Sequence, residues 1–288
     1  MHPSLNPTRS GAVILVAVLA FASLTLVYGR KQRNPEILIQ FALLGDSHLN
    51  LAKTGEEANY KAHFEKAIKQ VNAAGVDFVL IAGDLTQSGK PEEFSQFRAE
   101  IRKFRVPVLV VPGNHDIGNK FSNLSKGEHV TLARMEMYRK QMGPTWFSAD
   151  YAGVHIVCIN SSLLGSGYAP EQLMWKFLEH ELTPSTKVPS ILLMHYPLFL
   201  KEPDEPGNYW NVEPEPRARL LGLLKKSNVN LVLSAHLHKP KVNNRDGIQF
   251  VTTAATSFGI PSGKQPEGWT LITTFKNGKT SVVFQTIK

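Results

Sequence analysis

The sequence predicts an α/β domain, because short apolar runs of strand length alternate with segments of helical periodicity along residues 36–288. The first run, residues 37–44, is nearly all apolar, as expected of a strand buried on both faces. Strands alternating with helices predict a parallel sheet. Three β-type runs after residue 248 indicate a hairpin-rich end.

The elements of the first half follow from their apolar spacing and their end signals. Residues 56–74 carry apolar side chains at three- and four-residue steps, and Gly75 ends this predicted helix. A strand is predicted at 78–82. Pro91 opens the next helix, because proline is tolerated in the first helical turn. The apolar run 108–111 predicts a third strand.

The second half continues the same alternation. It predicts a helical insertion at residues 117–147 and two hairpin strands at 147–150 and 154–160. Helices are predicted at 170–182 and 217–226, and strands at 191–194 and 231–234. Three closing strands are predicted at 248–253, 269–275 and 281–287. Asn277-Gly278 is typical of a tight turn between the last two strands.

Residues 11–28 contain no charged side chain, and as a helix they would rise about 27 Å, near the hydrocarbon thickness of a bilayer. A cleaved signal peptide is the alternative. Only Arg9 precedes the run, however, and the small residues 20–22 lie inside it rather than beyond it. We expect a tail at 1–10, an uncleaved single-pass membrane anchor at 11–28, a basic linker at 29–35 and a folded domain at 36–288. The basic residues of the linker predict that the domain lies on the cytoplasmic side.

Charge and cysteine content exclude other classes of protein. The net charge of +8 comes from scattered lysines and arginines, so no nucleic-acid partner is expected. Cys158 is the only cysteine, which excludes an intrachain disulfide and a thiolate metal site.

Polar side chains able to bind a metal or move a proton follow the predicted strands: Asp46 and His48, Asp84, Asn114 with His115 and Asp116, His195, and His236 with His238. Oxygen and imidazole donors suit Mn, Fe or Zn, and Mg less well. The candidate ligands are too numerous for one ion and suit two ions that share a carboxylate. Two such ions can activate water and clamp a phosphoryl group.

The motifs resemble those of the calcineurin-like metallophosphoesterases. The matching blocks are Gly45-Asp46-Ser47-His48, Gly83-Asp84, Gly113-Asn114-His115-Asp116, His195 and His236-Leu237-His238. The resemblance implies a metallo-dependent phosphatase-like fold: a four-layer α-β-β-α sandwich of two packed mixed β-sheets flanked by helices. It also implies hydrolysis of phosphate esters by a hydroxide that bridges two divalent or trivalent metal ions.

By position, the resemblance implies that one metal is held by Asp46, His48 and His238, and the other by Asn114, His195 and His236, with Asp84 bridging. His115 would protonate the departing oxygen, and Asp116 would orient its ring. Ala235 stands where the family has glycine, which would cost about 1 kcal/mol if φ there were positive.

Short strings resemble two branches of the family, so the substrate remains open. Residues 114–119 and 196–200 resemble Ser/Thr phosphatases, whereas residues 83–86 resemble cyclic-nucleotide phosphodiesterases. Hydrolysis of phosphomonoesters, in a phosphoprotein or a small molecule, is favoured. Hydrolysis of cyclic nucleotides or other diesters is the alternative, and a membrane-tethered scaffold without catalysis is the third hypothesis.

Four residues outside the motifs are candidates for substrate contacts. Lys120 and Lys201 could neutralise the extra charge of a monoester, although each also fits a solvated surface lysine. Tyr209 and Trp210 could stack on a base or sugar, or pack against the loop that carries them.

Overall fold

A computed structural model of the chain describes residues 34–121, 128–183 and 189–287. The described residues belong to one compact unit, which begins at Asn34. The predicted anchor at 11–28 lies outside them. Within the described ranges no helix is both long and apolar enough to cross a bilayer.

Helices and strands alternate along most of the described chain, as the sequence predicts. The strands are β1 (Ile37–Leu44), β2 (Phe78–Ile81), β3 (Val108–Val110), β4 (Phe147–Tyr151), β5 (Val154–Cys158), β6 (Ser190–Leu193), β7 (Val229–Ser234), β8 (Lys241–Arg245), β9 (Ile248–Thr252), β10 (Gly268–Phe275) and β11 (Thr280–Thr286). The α-helices are α1 (Tyr60–Ala74), α2 (Pro91–Ile101), α3 (Asn114–Ile117), α4 (Leu132–Met142), α5 (Ala169–Glu181) and α6 (Pro214–Leu224).

The strands form two mixed sheets. The first sheet has five strands in the order β11-β10-β1-β2-β3, with β1 parallel to β2 and antiparallel to β10. The second has six strands in the order β4-β5-β6-β7-β9-β8, parallel in its centre and antiparallel at both edges. The carboxyl ends of the central parallel strands carry the polar motifs.

Alternation along the strands explains how the layers pack. In β1, Phe41 and Leu43 belong to an apolar cluster that also contains Ile156 and Leu193 of the second sheet. The neighbouring Ala42 and Leu44 belong instead to a cluster with side chains of α1 and α2. Successive residues of a strand point to opposite faces, so one set fills the space between the sheets and the other meets the helices. The predicted sandwich of two sheets flanked by helices is confirmed.

The structure departs from the sequence predictions in several places, among them the one-turn helix α3, which was not predicted. Residues 56–59 form a separate 3-10 turn before α1. Strand β8, with the sequence KVNNR, was not predicted, because it is a mostly exposed edge strand without an apolar face.

Ala235 has an ordinary backbone conformation, because its φ is not among the positive values found in the structure. The cost that a positive φ would impose is therefore absent. Its side chain is fully buried, and a Cβ added to Gly45 would overlap the Ala235 Cβ. Gly45 leads into the Asp46 loop and Ala235 into the His236 loop, so the two sheets approach closely where they carry the polar motifs.

This close approach predicts the effect of Gly45→Ala. The variant should lose about 1–3 kcal/mol of unfolding free energy through overpacking, and Gly45→Ala with Ala235→Gly should recover most of that loss. Urea unfolding of the wild type, both single variants and the double variant measures the coupling. A double variant no more stable than Gly45→Ala would contradict the packing described here.

Candidate metal centre

The polar motifs meet at one edge of the sandwich. Asp46 and Asp84 follow β1 and β2 of the first sheet, whereas His195 and His236 follow β6 and β7 of the second. All four side chains are buried, with at most 3% of their surface exposed. The two mixed sheets, packed face to face, thus direct the carboxyl ends of their central parallel strands into one shared site.

Several residues at this edge share the same strained backbone conformation, with a positive φ. A positive φ is uncommon for residues other than glycine, and such conformations cluster at functional sites. Five of the predicted ligands have φ values between 46° and 71°: Asp46, His48, Asp84, His236 and His238. At Gly83 (φ +85°) a side chain would come within 2.7 Å of the Gly113 nitrogen. These tight loops have no sequence signature other than their glycines.

The loops bring the predicted ligands into two groups that could each hold a metal ion. One group contains Asp46, His48, Asp84 and His238, and the other contains Asp84, His195 and His236. Asp84 belongs to both, with its Oδ2 3.6 Å from His48 Nε2 and 3.4 Å from His195 Nε2. The six residues are divided as the family resemblance implies, and Asn114 lies beside the second group, with its Oδ1 2.9 Å from His195 Nε2.

Each of the four histidines is oriented by an oxygen on its outer side. His48 Nδ1 bonds to Gln87 Oε1, and the three others bond to backbone carbonyls: His195 Nδ1 to Ala82, His236 Nε2 to Tyr209 and His238 Nδ1 to Phe258. A carbonyl oxygen can only accept a hydrogen bond, so the outer nitrogen carries the proton. When such a ring is neutral, its other nitrogen has no proton and faces the interior.

In the first group two such nitrogens face each other. His48 Nε2 and His238 Nε2 are 3.2 Å apart. Burial lowers the pKa of His48 well below its usual value, and burial lowers that of His238 to about 4. Both rings are therefore neutral at pH 7, and two lone pairs point at each other beside the Asp84 carboxylate. Only a cation between these atoms satisfies them, so the donors fit a metal ion.

The second group holds a proton where a cation would lie. Burial disfavours the charged form of His195, but the carboxylates of Asp84 and Asp46 outweigh this effect and raise its pKa to about 9. His195 Nε2 lies 2.9 Å from Asn114 Oδ1 and 3.2 Å from His236 Nδ1. A metal ion bound among these atoms would replace that proton.

His115 is outside both metal groups. It is half-buried, and its Nδ1 donates to the Gln87 carbonyl at 2.7 Å, which leaves Nε2 as the available ring nitrogen. The ring lies edge-on to His48, with the centroids 4.4 Å apart. His115 is thus held next to the two candidate metal groups, outside both of them.

The role of orienting His115, which the resemblance implies for Asp116, is filled by Gln87 instead. The Asp116 carboxylate accepts hydrogen bonds from the nitrogens of Leu85, Thr86 and Gly113 and from the Thr86 hydroxyl. Burial and the Asp84 charge raise the pKa of Asp116 to about 6, so it remains ionised at neutral pH. Asp116 clamps the loops that carry Asp84 and Asn114, and it acts on the site through the backbone.

A polar pocket of about 390 Å³ opens beside this centre, lined by Gln87, Ser88, Asn114, His115, Asn119, Glu128, Arg134 and Tyr209. The Tyr209 side chain hydrogen-bonds Asn114, and its ring centroid is 5.0 Å from that of His236. The pocket therefore gives a ligand access to His115 and to an edge of the second metal group.

Several contributors were not predicted from the sequence. Gln87 and the carbonyls of Tyr209 and Phe258 act through hydrogen-bond geometry that no residue pattern encodes. Lys120 is not a solvated lysine, because it is 1% exposed and forms an ion pair with Glu213. Lys201 is exposed, as one of its two interpretations predicted.

Comparison with known proteins gives relatives across most of the chain. The family model described as calcineurin-like phosphoesterase matches residues 39–240. The serine/threonine-protein phosphatase CPPED1 of Danio rerio is 27% identical over 69% of this chain and 65% of its own length. A probable cyclic nucleotide phosphodiesterase of Vesicomyosocius okutanii is 22% identical over 85% of this chain and 97% of its own length. The chain thus spans slightly less than two thirds of the CPPED1 relative.

Solved structures share the fold at low sequence identity. A dimetal phosphatase from Danio rerio superimposes with a TM-score of 0.59 at 13% identity, covering 88% of this chain and 97% of that one. A purple acid phosphatase from yellow lupin (Lupinus luteus) seeds gives 0.61 at 17% identity, over 86% and 51% of the two chains. The family model covers more than half of the sequence, including every motif at the shared edge, and the chain therefore belongs to the calcineurin-like phosphoesterase family.

Proposed function

We propose that this protein is a metal-dependent phosphoesterase whose preferred substrates are phosphomonoesters. The observation that carries the proposal is the pair of unprotonated nitrogens of His48 and His238, 3.2 Å apart beside a carboxylate that belongs to both metal groups. Such an arrangement suits two cations that share Asp84, and paired cations favour the hydrolysis of phosphate esters.

We assign the first metal to Asp46, His48 and His238, the second to Asn114, His195 and His236, and the bridge to Asp84. The donors are oxygen and imidazole nitrogen, which favours Mn, Fe or Zn. When bound, the two ions supply charge neutralisation for the phosphoryl oxygens and a nucleophile from water.

His115 supplies the proton in this proposal. Its Nδ1 donates to the Gln87 carbonyl, which leaves Nε2 facing the site. In the imidazolium form Nε2 carries a second proton, which passes to the ester oxygen as the bond to phosphorus breaks and leaves a neutral ring. His115 also lines the polar pocket, where it can reach a bound ester. The backbone nitrogen of His115 donates to Asp84 Oδ1 at 2.8 Å, which fixes the position of the proton donor relative to the bridging carboxylate.

The relatives are of two kinds, phosphatases and phosphodiesterases, and each kind supports a different substrate class. The phosphatase relative is a serine/threonine-protein phosphatase by name, which favours phosphomonoesters in proteins. The relative named as a probable cyclic nucleotide phosphodiesterase covers more of this chain, so diester hydrolysis is the second candidate. A scaffold without catalysis is the third candidate, and it would give the buried metal-ligating side chains of the centre no function.

We also propose that residues 11–28 anchor the protein in a membrane, with the domain on the cytoplasmic side. The support is the uncharged apolar run and the basic residues at 30–33. A reporter fused after Lys288 would be active on the cytoplasmic side. If carbonate washing releases the domain from membranes, or if the mature protein begins after residue 28, the segment is a cleaved signal peptide instead.

The first prediction concerns metal content. The full chain should bind about two ions, Asp84→Asn should lose both, and His238→Ala should lose one, because only Asp84 belongs to both groups. Asp150→Asn removes an exposed carboxylate on β4 and should change nothing. Elemental analysis of the purified variants measures the ratio. Equal losses in Asp84→Asn and His238→Ala would contradict the sharing of Asp84.

The pH dependence of metal binding follows from His195. In the metal-free protein its pKa is raised to about 9, so below that pH an entering ion must displace a proton. Metal affinity should therefore rise as the pH increases toward 9, with proton release measurable by calorimetry in buffers of different ionisation enthalpy. Affinity that is independent of pH between 6 and 9 would show that this proton is absent.

A further prediction isolates His115. Replacement by Asn should leave the metal content unchanged and lower turnover by about 10²–10⁴-fold, because a positioned proton donor is lost. The loss should be larger for a phosphoserine peptide than for p-nitrophenyl phosphate, whose leaving group needs no proton. The control is His180→Asn on the exposed face of α5. Loss of metal from His115→Asn would show that this residue is a ligand.

Substrate preference is tested with the Mn-loaded full chain. We expect faster turnover of p-nitrophenyl phosphate than of bis(p-nitrophenyl) phosphate. Faster turnover of the diester would reverse the order of the two candidates. No turnover of either compound, together with no bound metal, would rule out the enzyme and leave the scaffold.

A further inference from the structure

A second pocket of about 190 Å³ lies beside the metal centre and has no part in the chemistry described so far. Its walls are apolar and aromatic, formed by Trp210, Leu237 and Ile260 among others. Three lysines, Lys201, Lys239 and Lys241, line the same pocket. We call this the basic pocket.

The lysines of the basic pocket are not neutralised by the residues around them. Within the described ranges none of the three is in an ion pair, and Lys201 and Lys239 are exposed. The adjoining loop carries three carboxylates, of which Asp204 lines a different cavity together with Lys225 and Arg245. The two others already have partners. Glu202 pairs with Arg245, and Glu205 accepts from the backbone nitrogens of residues 200–202 and from the Asn211 side chain. Three cations around one small pocket repel each other, and an anion in the pocket would relieve that repulsion.

The basic pocket adjoins the metal centre directly. Leu237 lies between the ligands His236 and His238, and the Ile260 nitrogen donates to the His238 carbonyl at 3.3 Å. The Trp210 ring is 5.4 Å from that of His236, centroid to centroid. A group in this pocket therefore lies against the same loop that carries two of the predicted ligands.

An aromatic pair separates the basic pocket from the polar pocket. Tyr209 lines the polar pocket and Trp210 lines the basic one, and their rings meet edge to face at 4.8 Å. A ligand that uses both pockets must pass over this pair. An extended peptide advances about 3.3 Å per residue, so neighbouring residues of one peptide can place groups on both sides of this pair.

We propose that the basic pocket binds an acidic side chain of a phosphopeptide whose phosphorylated residue lies at the metal centre. This inference rests on the proposed phosphatase function and names its substrate class. The apolar walls accommodate the aliphatic part of the peptide, and the lysines bind a carboxylate about one to three residues from the phosphorylated position. Specificity for acidic sequences then comes from charge complementarity rather than from the metals.

The test compares matched phosphoserine peptides that carry Glu or Gln at each of the three positions on either side. Wild-type full chain should prefer at least one Glu peptide over its Gln partner by about five- to tenfold in kcat/KM. The triple variant Lys201→Gln, Lys239→Gln, Lys241→Gln should lose this preference and keep its turnover of p-nitrophenyl phosphate. The wild-type preference should also shrink as salt is added, because the lysines are accessible to solvent.

A charge-matched control separates local binding from the general attraction of a basic protein. Replacing Lys66, Lys69 and Lys176, all exposed on α1 and α5, removes the same charge elsewhere and should leave the preference intact. An equal loss in this control, or a preference that survives in the first triple variant, would overturn the proposal. The small esters 4-carboxyphenyl phosphate and 4-carbamoylphenyl phosphate differ in one carboxylate without being peptides. If the lysines affect selectivity only between these two esters, the peptide assignment is overturned.

The outcome is distinguishable from a failure of the proposed function. Turnover of p-nitrophenyl phosphate reports on the metal centre alone. If that turnover is absent, anisotropy of a fluorescent peptide with a phosphonate in place of the phosphate still measures binding in the basic pocket. Equal binding of this peptide to the wild type and the lysine variant would then refute the basic pocket independently of catalysis.

Discussion

Two imidazole nitrogens that can only accept lie 3.2 Å apart in this protein, and much of the surrounding structure holds them there. His48 is fixed from outside by Gln87, and His238 by the Phe258 carbonyl. Phe258 also packs against the His238 ring at 4.4 Å. Neither ring can rotate away from the other without breaking a partly buried hydrogen bond, which would cost about 1 kcal/mol or more. The centre is thus preorganised by oxygens that touch no metal.

The remaining order of the site depends on Asp116. By accepting from Leu85, Thr86 and Gly113, its carboxylate joins the loop after β2 to the loop after β3. Asp84 and Asn114, one from each loop, are then held at fixed positions in the same centre. A negative charge near Asp84 is unfavourable, and the four donors around Asp116 compensate for it. Asp116, next to the proposed proton donor His115, is therefore structural in its contacts, although its position in the motif suggests a role in the chemistry.

The sequence predicted the strands of the core and the residues that follow them, because buried strands are apolar on both faces and their ends are marked by Gly-Asp or His. It did not predict β8, since an exposed edge strand such as KVNNR has no apolar face. Nor did it predict the carbonyls of Ala82, Tyr209 and Phe258 as partners of the histidines, because every residue has a carbonyl and only the fold selects among them. The burial of Lys120 was not predicted for a related reason: its ion-pair partner, Glu213, lies far away in the sequence.

Strand β1 has a consequence for biosynthesis. It leads into the loop with Asp46 and lies between β2, which follows closely in sequence, and β10, which pairs Thr270 with Leu43. During translation the amino-terminal strands therefore leave the ribosome long before the strand that completes their sheet. Until β10 emerges, β1 exposes an apolar edge of the kind that pairs with other chains. The nascent chain thus needs protection along this edge while the rest of the domain is made.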